Sequence, residues 1–160
     1  MSKIQKTNAA RLLDKAGVDY TTVAYEVDEN DLAAGHVAAQ LGEDIRQVFK
    51  TLVARGEKKG ILVFCIPVSC TLDLKKAAHA AGDKKVEMIH IKELLGLTGY
   101  ISCGCSPVGM KKKYPTFMDE TAELYDEIAI SGGARGLQMV LSPMSLMEYA
   151  DITSVDLVEY

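Results

Sequence analysis

The chain has 160 residues, a length that suits one domain with a core of its own. Hydrophobic residues make up 48% and charged residues 25%, a composition that excludes a disordered or fibrous protein. The formal net charge of −4 argues against tight binding of free nucleic acid, because neutralisation of phosphates dominates such affinity. The first eight residues lack the apolar core of a signal peptide, and no apolar run could span a bilayer. We therefore expect a single cytoplasmic domain over residues 1–160, without a membrane partner.

Charge is distributed unevenly along the chain. Residues 1–45 carry a net charge of −4, residues 46–113 carry +8, and residues 114–160 carry −8. The basic middle segment contains runs of lysine at 58–59, 75–76, 84–85 and 111–113. These lysines could form one basic surface for a polyanion, or they could occupy solvated turns and helix ends. Composition alone favours the second interpretation.

In the first half of the chain, helical and strand patterns alternate. Residues 8–16 have helical spacing and end at a glycine, and the β-branched and aromatic segment 20–25 predicts a strand. A second helix is predicted over 32–41. Two apolar runs, 48–54 and 61–67, flank a turn that contains glycine and therefore predict a β-hairpin.

The second half continues with short elements. Helices are predicted from an Asp73 cap through residue 81, at 91–95, and from Pro143 to residue 149, where proline suits the first helical position. Strands are predicted at 86–89, 100–102, 116–118, 127–131 and 137–141. Strands joined by tight turns predict an α/β protein of the α+β type, with a mixed, largely antiparallel sheet and helices outside it. A doubly wound nucleotide-binding fold is excluded.

The sequence contains no recognisable catalytic triad or metal motif. None of the three histidines, His36, His79 and His90, has a serine or cysteine partner at a known motif spacing. The four cysteines do not reproduce the paired spacing of a structural zinc site, and in a chain without a leader we expect them to be reduced. We therefore expect no metal and no cofactor.

Lys50 is unusual because it lies inside an apolar strand, on the same face as Leu52 and Ala54. It could be an edge residue that blocks aggregation, or an ammonium group that binds a carbonyl or phosphate oxygen. Two glycine-containing loops, 99–109 and 131–136, could face it. Glycine allows backbone amides to approach a ligand, so Lys50 and the two loops together indicate a binding site.

Three segments together resemble the YbaK/EbsC family of Cys-tRNA(Pro) deacylases, which are related to the editing domain of bacterial prolyl-tRNA synthetases. They are Phe49-Lys50-Thr51-Leu52, the loop from Thr98 to Lys112, and Ile130-Ser131-Gly132-Gly133-Ala134-Arg135-Gly136-Leu137. The resemblance extends over nearly the whole chain, in order. It implies a mixed or barrel-like β-sheet surrounded by helices.

The resemblance also implies a site. Lys50 would hold the tRNA 3′ end or the aminoacyl ester, and Tyr25 would line the pocket. In the first loop, Gly104 and Ser106 match catalytic positions whose amides orient the substrate carbonyl, although Cys103 stands where the family has its first glycine. The other substrate-binding positions are Thr51, Tyr100, Cys105, Pro107, Gly109, Ser131, Gly132, Gly133 and Arg135.

In the family, the cysteine thiol of the substrate is thought to attack its own ester carbonyl, so no protein nucleophile is needed. This chemistry agrees with a sequence that has neither a triad nor a metal motif. The implied partners are aminoacyl-tRNA and prolyl-tRNA synthetase. Three alternatives stay open: a non-catalytic module that binds tRNA or a synthetase, a deacylase for another amino acid such as alanine, and a small-molecule hydrolase or redox protein that uses Cys103 and Cys105.

Overall fold

The computed structural model describes residues 6–25, 44–102 and 104–159. This part of the chain contains four α-helices and eight β-strands. The helices are α1 (Asn8–Ala16), α2 (Leu74–Ala81), α3 (Leu94–Thr98) and α4 (Pro143–Ala150). The strands are β1 (Tyr20–Ala24), β2 (Phe49–Gly56), β3 (Gly60–Pro67), β4 (Val86–Met88), β5 (Thr116–Asp119), β6 (Ile128–Ser131), β7 (Leu137–Leu141) and β8 (Ile152–Val155).

The strands form two sheets that meet along β2. One sheet has the order β4-β2-β3-β5-β8 and the other has the order β1-β7-β6. A parallel bridge between Val48 and Ala129 joins them, so β6 lies beside the start of β2 while β4 pairs with its end. Of the strand pairs in the described residues, β3–β5 and β5–β8 are parallel and the other four are antiparallel. The predicted mixed, largely antiparallel sheet is therefore confirmed.

Helices α1 and α4 pack on one face of the two joined sheets. Leu13 of α1 and Leu146 of α4 are fully buried in a core cluster with Phe49, Met118 and Met139. Helix α2 packs instead into a second cluster, beside the β2–β3 hairpin and the end of the chain. Strand β3, at the centre of the five-stranded sheet, is buried over residues 62–67, and its sequence is almost continuously apolar because both of its faces are covered.

The helix ends follow local capping chemistry. The Thr7 hydroxyl accepts a hydrogen bond from the Ala10 amide at the start of α1, and Gly17 ends the helix with a φ of 74°. Asp73 caps α2 in the same way, through the amides of Lys75 and Lys76. Such caps explain why the bounds of α1 and α2 could be predicted from the sequence. None of the described helices is long and apolar enough to cross a membrane.

Several predicted elements differ from the structure. The strand predicted at 100–102 is wrong, because the Tyr100 amide donates to the Thr98 hydroxyl and the segment turns back without a partner strand. The helix predicted at 91–95 begins as a 3₁₀ turn and continues to Thr98. Strand β8 was not predicted. The helix predicted at 32–41 lies outside the described residues.

Candidate active site

Lys50 lies on β2. Strand β6, which lies beside the start of β2, leads into the second glycine loop (131–136). Continuing the parallel register of the Val48–Ala129 bridge by two residues brings Lys50 level with Ser131, the last residue of β6. Ser131 is paired in turn with Gln138 of β7, and Gln138 with Val23 of β1. Residues that pair directly across strands project from the same face of a sheet.

We call the side of the joined strands β1, β7, β6 and β2 from which Lys50 projects the Lys50 face. The residues that the strand pairing places on it are Val23, Val48, Lys50, Ala129, Ser131, Gln138 and Val140. Lys50 is half-buried, and no hydrogen bond or ion pair to its ammonium group occurs within the described ranges. The predicted alignment of Lys50 with Leu52 and Ala54 is confirmed by the unbroken β2–β3 register.

Tyr25 extends the Lys50 face by one row. Its amide donates a hydrogen bond of 2.9 Å to the carbonyl of Gly136, which continues the β1–β7 register beyond Ala24. Tyr25 is therefore on the same side as Val23, next to a glycine whose missing side chain leaves space. Its phenol has no hydrogen-bond partner among residues 6–25, 44–102 and 104–159.

The second loop, between β6 and β7, is held by its own hydrogen bonds. The amide of Gly132 donates to the Leu137 carbonyl at 2.9 Å, and the amide of Gly133 donates to the Ser131 hydroxyl at 3.2 Å. The Thr7 hydroxyl donates to the Gly132 carbonyl at 2.6 Å, which ties the loop to the start of α1. Gly133 has a φ of 95°, a conformation that favours glycine.

The first loop packs directly on the second. A Cβ atom on Gly104 would lie 3.3 Å from the amide nitrogen of Arg135 and 3.4 Å from the Cα atom of Ala134, so the two backbones touch. The guanidinium of Arg135, which is exposed, donates from Nε to the Ser102 carbonyl at 3.3 Å. The two loops that were predicted to form a site with Lys50 are thus in contact with each other. Cys103 lies outside the described residues.

The amides of the first loop differ in their availability. The Gly104 amide donates to the Ile101 carbonyl at 3.0 Å and is therefore occupied. The amides of Cys105 and Ser106 have no acceptor in the described part of the chain. The Ser106 side chain is fully buried, and its hydroxyl accepts a hydrogen bond from the Val108 amide at 3.2 Å. The residue as a whole has no solvent exposure, so neither its hydroxyl nor its amide is open to a ligand in this structure.

Tyr100 and Gly109 stabilise the first loop through contacts within it. The Tyr100 phenol is buried and donates to the Val108 carbonyl at 2.6 Å, and burial raises its pKa to about 12. Gly109 has a φ of 81°, and a Cβ atom there would lie 2.8 Å from the phenol oxygen. Pro107 is half-buried and lines a cleft of about 220 Å³ with Lys112 and Lys113.

The thiol of Cys105 lies on the other side of β2 from Lys50. It packs with Val53 and Val63, whose side chains project from the opposite face. Burial raises the pKa of the Cys105 thiol to about 11, with a smaller opposing effect of a hydrogen bond with Thr98. Thr51 lies on that face too, and its hydroxyl is 3.8 Å from the thiol of Cys65. Cys65, Cys70 and Cys105 are free.

Sequence reasoning missed Gln138. This residue is 6% exposed, and its buried carbonyl oxygen Oε1 has no hydrogen-bond partner among the described residues. A signal was present, since Gln138 is the polar residue of the otherwise apolar strand β7 and follows the loop that the sequence singled out. Within the described ranges, no three His, Cys, Asp or Glu side chains are grouped as metal ligands would be.

The sequence of the chain is similar to those of known proteins. A sequence model of the aminoacyl-tRNA editing domain matches residues 28–149. The chain is 45% identical over 155 residues to an Enterococcus faecalis protein provisionally named Cys-tRNA(Pro)/Cys-tRNA(Cys) deacylase EbsC, and the match covers 94% of each chain.

Two solved structures have the same fold. One is described as a proposed trans-editing enzyme for prolyl-tRNA synthetase; its TM-score is 0.84 at 27% identity, over 96% of this chain and 99% of the other. The hypothetical protein APE2540 gives a TM-score of 0.84 at 21% identity, over 93% and 97% of the two chains. The predicted family and its fold are therefore confirmed.

Proposed function

Because the chain belongs to the aminoacyl-tRNA editing domain family, we propose that it is a trans-editing deacylase that removes cysteine from Cys-tRNA(Pro), and also from Cys-tRNA(Cys). The observation that carries this proposal is the 45% identity to the Enterococcus protein over 94% of both chains. Residues 1–160 would form a single editing domain that acts in the cytoplasm.

Lys50 would bind the substrate through its charge. Its ammonium group is half-buried and has no partner in the described part of the chain, which suits binding of an oxygen of the ester or of the phosphate of the 3′-terminal nucleotide. Tyr25 and Ser131, on the same face, would line the place where the aminoacyl group binds. Gly132, Gly133 and Arg135 would hold the second loop in position beside it.

The first loop would stabilise negative charge on the carbonyl oxygen. The donor would be the Cys105 amide, which has no acceptor in the described part of the chain, since the Gly104 amide already donates to Ile101 and Ser106 is fully buried. Gly104 would instead allow the close approach of the two loops, which its missing side chain permits. Fixed backbone donors are effective in this role because they need no reorganisation during the reaction.

The substrate would supply its own nucleophile. The sulfur of the cysteinyl group attacks the ester carbonyl, a carbon–sulfur bond forms, and the bond from carbon to the ribose oxygen breaks. The thiol proton ends on that ribose oxygen, which gives free tRNA and a four-membered cysteine thiolactone that water then hydrolyses to cysteine. The protein contributes orientation and electrostatic stabilisation.

This chemistry would also provide selectivity. A thiol one methylene away from the α-carbon can reach its own carbonyl, whereas alanine and proline lack such a nucleophile. An alanine-directed enzyme would have to activate water and select by size. Discrimination would therefore come from reactivity rather than from a tight amino-acid pocket.

The substrate partner would be the 3′ end of aminoacyl-tRNA, and we propose that prolyl-tRNA synthetase helps to deliver it. The test is a deacylation assay with purified protein on Cys-, Ala- and Pro-tRNA(Pro). We expect rapid loss of cysteine and slow loss of the other two amino acids. Rapid loss of alanine would favour the alanine editor, and no deacylation of any substrate would favour the non-catalytic binding module.

A further inference from the structure

A small cleft beside the first loop contains charged and aromatic side chains that the proposed reaction does not use. It has a volume of about 220 Å³ and lies between the end of the first loop, the segment 112–116 and the end of α4. Pockets for drug-sized ligands usually measure about 300–1,000 Å³, so this cleft suits a single ring system. We call it the Lys112 cleft.

The polar groups that line the Lys112 cleft differ in their availability. The Tyr114 phenol donates to the Leu97 carbonyl at 2.8 Å, and the Thr116 hydroxyl donates to the Tyr114 carbonyl at 2.9 Å, so both hydroxyl groups belong to the fold. The ammonium group of Lys112 and the phenol of Tyr149 have no partner within the described ranges. Lys112 is exposed and Tyr149 is 37% exposed, so both side chains are available to a ligand.

Lys113 adds a second positive charge to the Lys112 cleft. Its ammonium group lies 3.7 Å from the Asp151 carboxylate, and the two side chains are 75% and 86% exposed. An exposed pair at this distance contributes little to stability, so the ammonium group can bind another anion instead. A phosphate suits two adjacent lysines, and the Tyr149 ring suits an aromatic base, so together these side chains indicate a nucleotide.

The Lys112 cleft adjoins the place where the aminoacyl ester would react. Pro107 lines the cleft and lies two residues after Cys105, whose amide would bind the ester carbonyl. Two residues of chain span at most about 7 Å, so this wall of the cleft is close to the reacting carbonyl. The ester is carried by the ribose of the terminal adenosine, and the nucleotides just before it are single-stranded. Unpaired bases of this kind commonly stack on aromatic side chains.

We propose that the Lys112 cleft is a subsite for the single-stranded 3′ end of tRNA, in which one of the two cytidines before the terminal adenosine stacks on Tyr149 and its phosphate binds Lys112 and Lys113. This inference rests on the proposed deacylase function. Stacking tolerates any base, because every base has an aromatic face. The subsite therefore positions the 3′ end without selecting one tRNA over another.

The test is a cycle between one side chain and the bases that it would contact. Wild type and Tyr149→Leu are assayed on Cys-tRNA(Pro) and on the same tRNA with both cytidines made abasic, which keeps its length and its phosphates. We expect Tyr149→Leu to lower kcat/KM on the intact tRNA about 10-fold, because a base–aromatic stack is lost. On the abasic tRNA it should have almost no effect.

Two further comparisons separate stacking from damage to the fold. Tyr149→Phe keeps the ring and should retain the wild-type rate on both substrates. The wild type itself should deacylate the abasic tRNA about 10-fold more slowly than the intact tRNA, a comparison that needs no variant.

The lysines should behave differently from the tyrosine, because the abasic tRNA keeps its phosphates. Lys112→Ala/Lys113→Ala should lower kcat/KM on both substrates by the same factor, about five- to tenfold at low salt, and this factor should shrink as salt is added. Met144→Ala is the control, since Met144 is another exposed side chain of α4 and lies outside the cleft. It should change none of these rates.

A loss for Tyr149→Leu that is equal on both substrates, or no loss on either, would overturn the subsite. Wild type that is inactive on intact Cys-tRNA(Pro) would instead contradict the proposed deacylase function.

Discussion

Among the single side chains, Lys50 has the clearest consequence for activity. Its ammonium group has no partner in the described residues, so it contributes little to the fold. We expect Lys50→Ala to lower kcat/KM for deacylation about 100-fold and to shift the melting temperature by no more than about 3 °C.

Lys58→Ala is the matched control for this variant. Lys58 is an exposed lysine at the turn of the same hairpin, and its amide, which bonds to Asp83, is kept in the variant. The control should retain the wild-type rate. A folded Lys50→Ala protein with the activity of the Lys58 control would contradict the assigned role.

The cysteines of the protein should not act as nucleophiles. With a pKa of about 11, the Cys105 thiol stays protonated, and therefore unreactive, between pH 7 and pH 9. We expect Cys103→Ser/Cys105→Ser to keep a rate within about threefold of wild type. The rate should rise through about pH 8.5 in both proteins, as an unperturbed substrate thiol ionises. Loss of this pH dependence only in the variant would indicate a protein thiol.

What the sequence reveals about single residues depends on how local their chemistry is. Lys50 was recognisable because a charged residue inside an apolar strand breaks the pattern on its own. Ser106 was predicted to act through its amide, but its full burial and the hydrogen bond that its hydroxyl accepts from the Val108 amide depend on the packing of the whole loop. Gln138 pairs with Ser131 across a short hairpin, but its pairing with Val23 joins segments that lie far apart in the sequence, which no local pattern indicates.

Among the elements, we predict that the first loop (99–109) and the second loop (131–136) support deacylation only while their backbones are in contact. Gly104→Ala places a methyl group 3.3 Å from the Arg135 amide nitrogen, so backbone atoms must move by a few tenths of an ångström. We expect kcat/KM to fall about tenfold and the free energy of unfolding to fall by about 1–2 kcal/mol. The measurements are steady-state deacylation and denaturant unfolding.

Gly96→Ala tests the same change where nothing is within 4 Å. Gly96 lies in α3, and alanine there should leave activity unchanged and raise stability by up to about 1 kcal/mol. Equal activity of the two glycine variants would show that contact between the loops is not needed for deacylation.

The elements themselves were predictable where local rules decide them. Helix α1 ends at Gly17 and α2 begins at Asp73, and both signals are read from single residues. The strand predicted at 100–102 failed because the buried Tyr100 phenol and amide bond within the loop, which no local pattern indicates. Strand β8 is short and pairs in parallel with β5, so its stability comes from a distant partner.

For the protein as a whole, charge should govern how tRNA is held. The lysines at 111–113 are exposed, and Lys112 and Lys113 line the cleft beside Pro107. Lys113 also lies 3.7 Å from Asp151, an exposed pair that solvent screens strongly. We therefore expect these lysines to be available to phosphates, while the acidic segments limit affinity for free tRNA.

Replacing Lys111, Lys112 and Lys113 by alanine should weaken tRNA binding and flatten its dependence on salt. Each lysine that contacts a phosphate should reduce the slope of log K against log salt by about 0.7–0.9. Lys15→Ala, in the acidic first segment, is the control and should leave the slope unchanged. Binding titrations at several salt concentrations, with and without prolyl-tRNA synthetase, check this. Binding to free tRNA that is tight and insensitive to salt would contradict delivery by a synthetase.

The central claim is that the substrate thiol performs the chemistry, and one comparison tests it most directly. The wild-type protein is given Cys-tRNA(Pro) and Ser-tRNA(Pro), which differ by a single sulfur-to-oxygen replacement, and the two first-order rates of deacylation are measured. We predict that cysteine is released at least about 100-fold faster, because a serine hydroxyl is scarcely ionised near neutral pH and is a weak nucleophile without an adjacent base. Equal rates for the two substrates would contradict the account and would indicate attack by water.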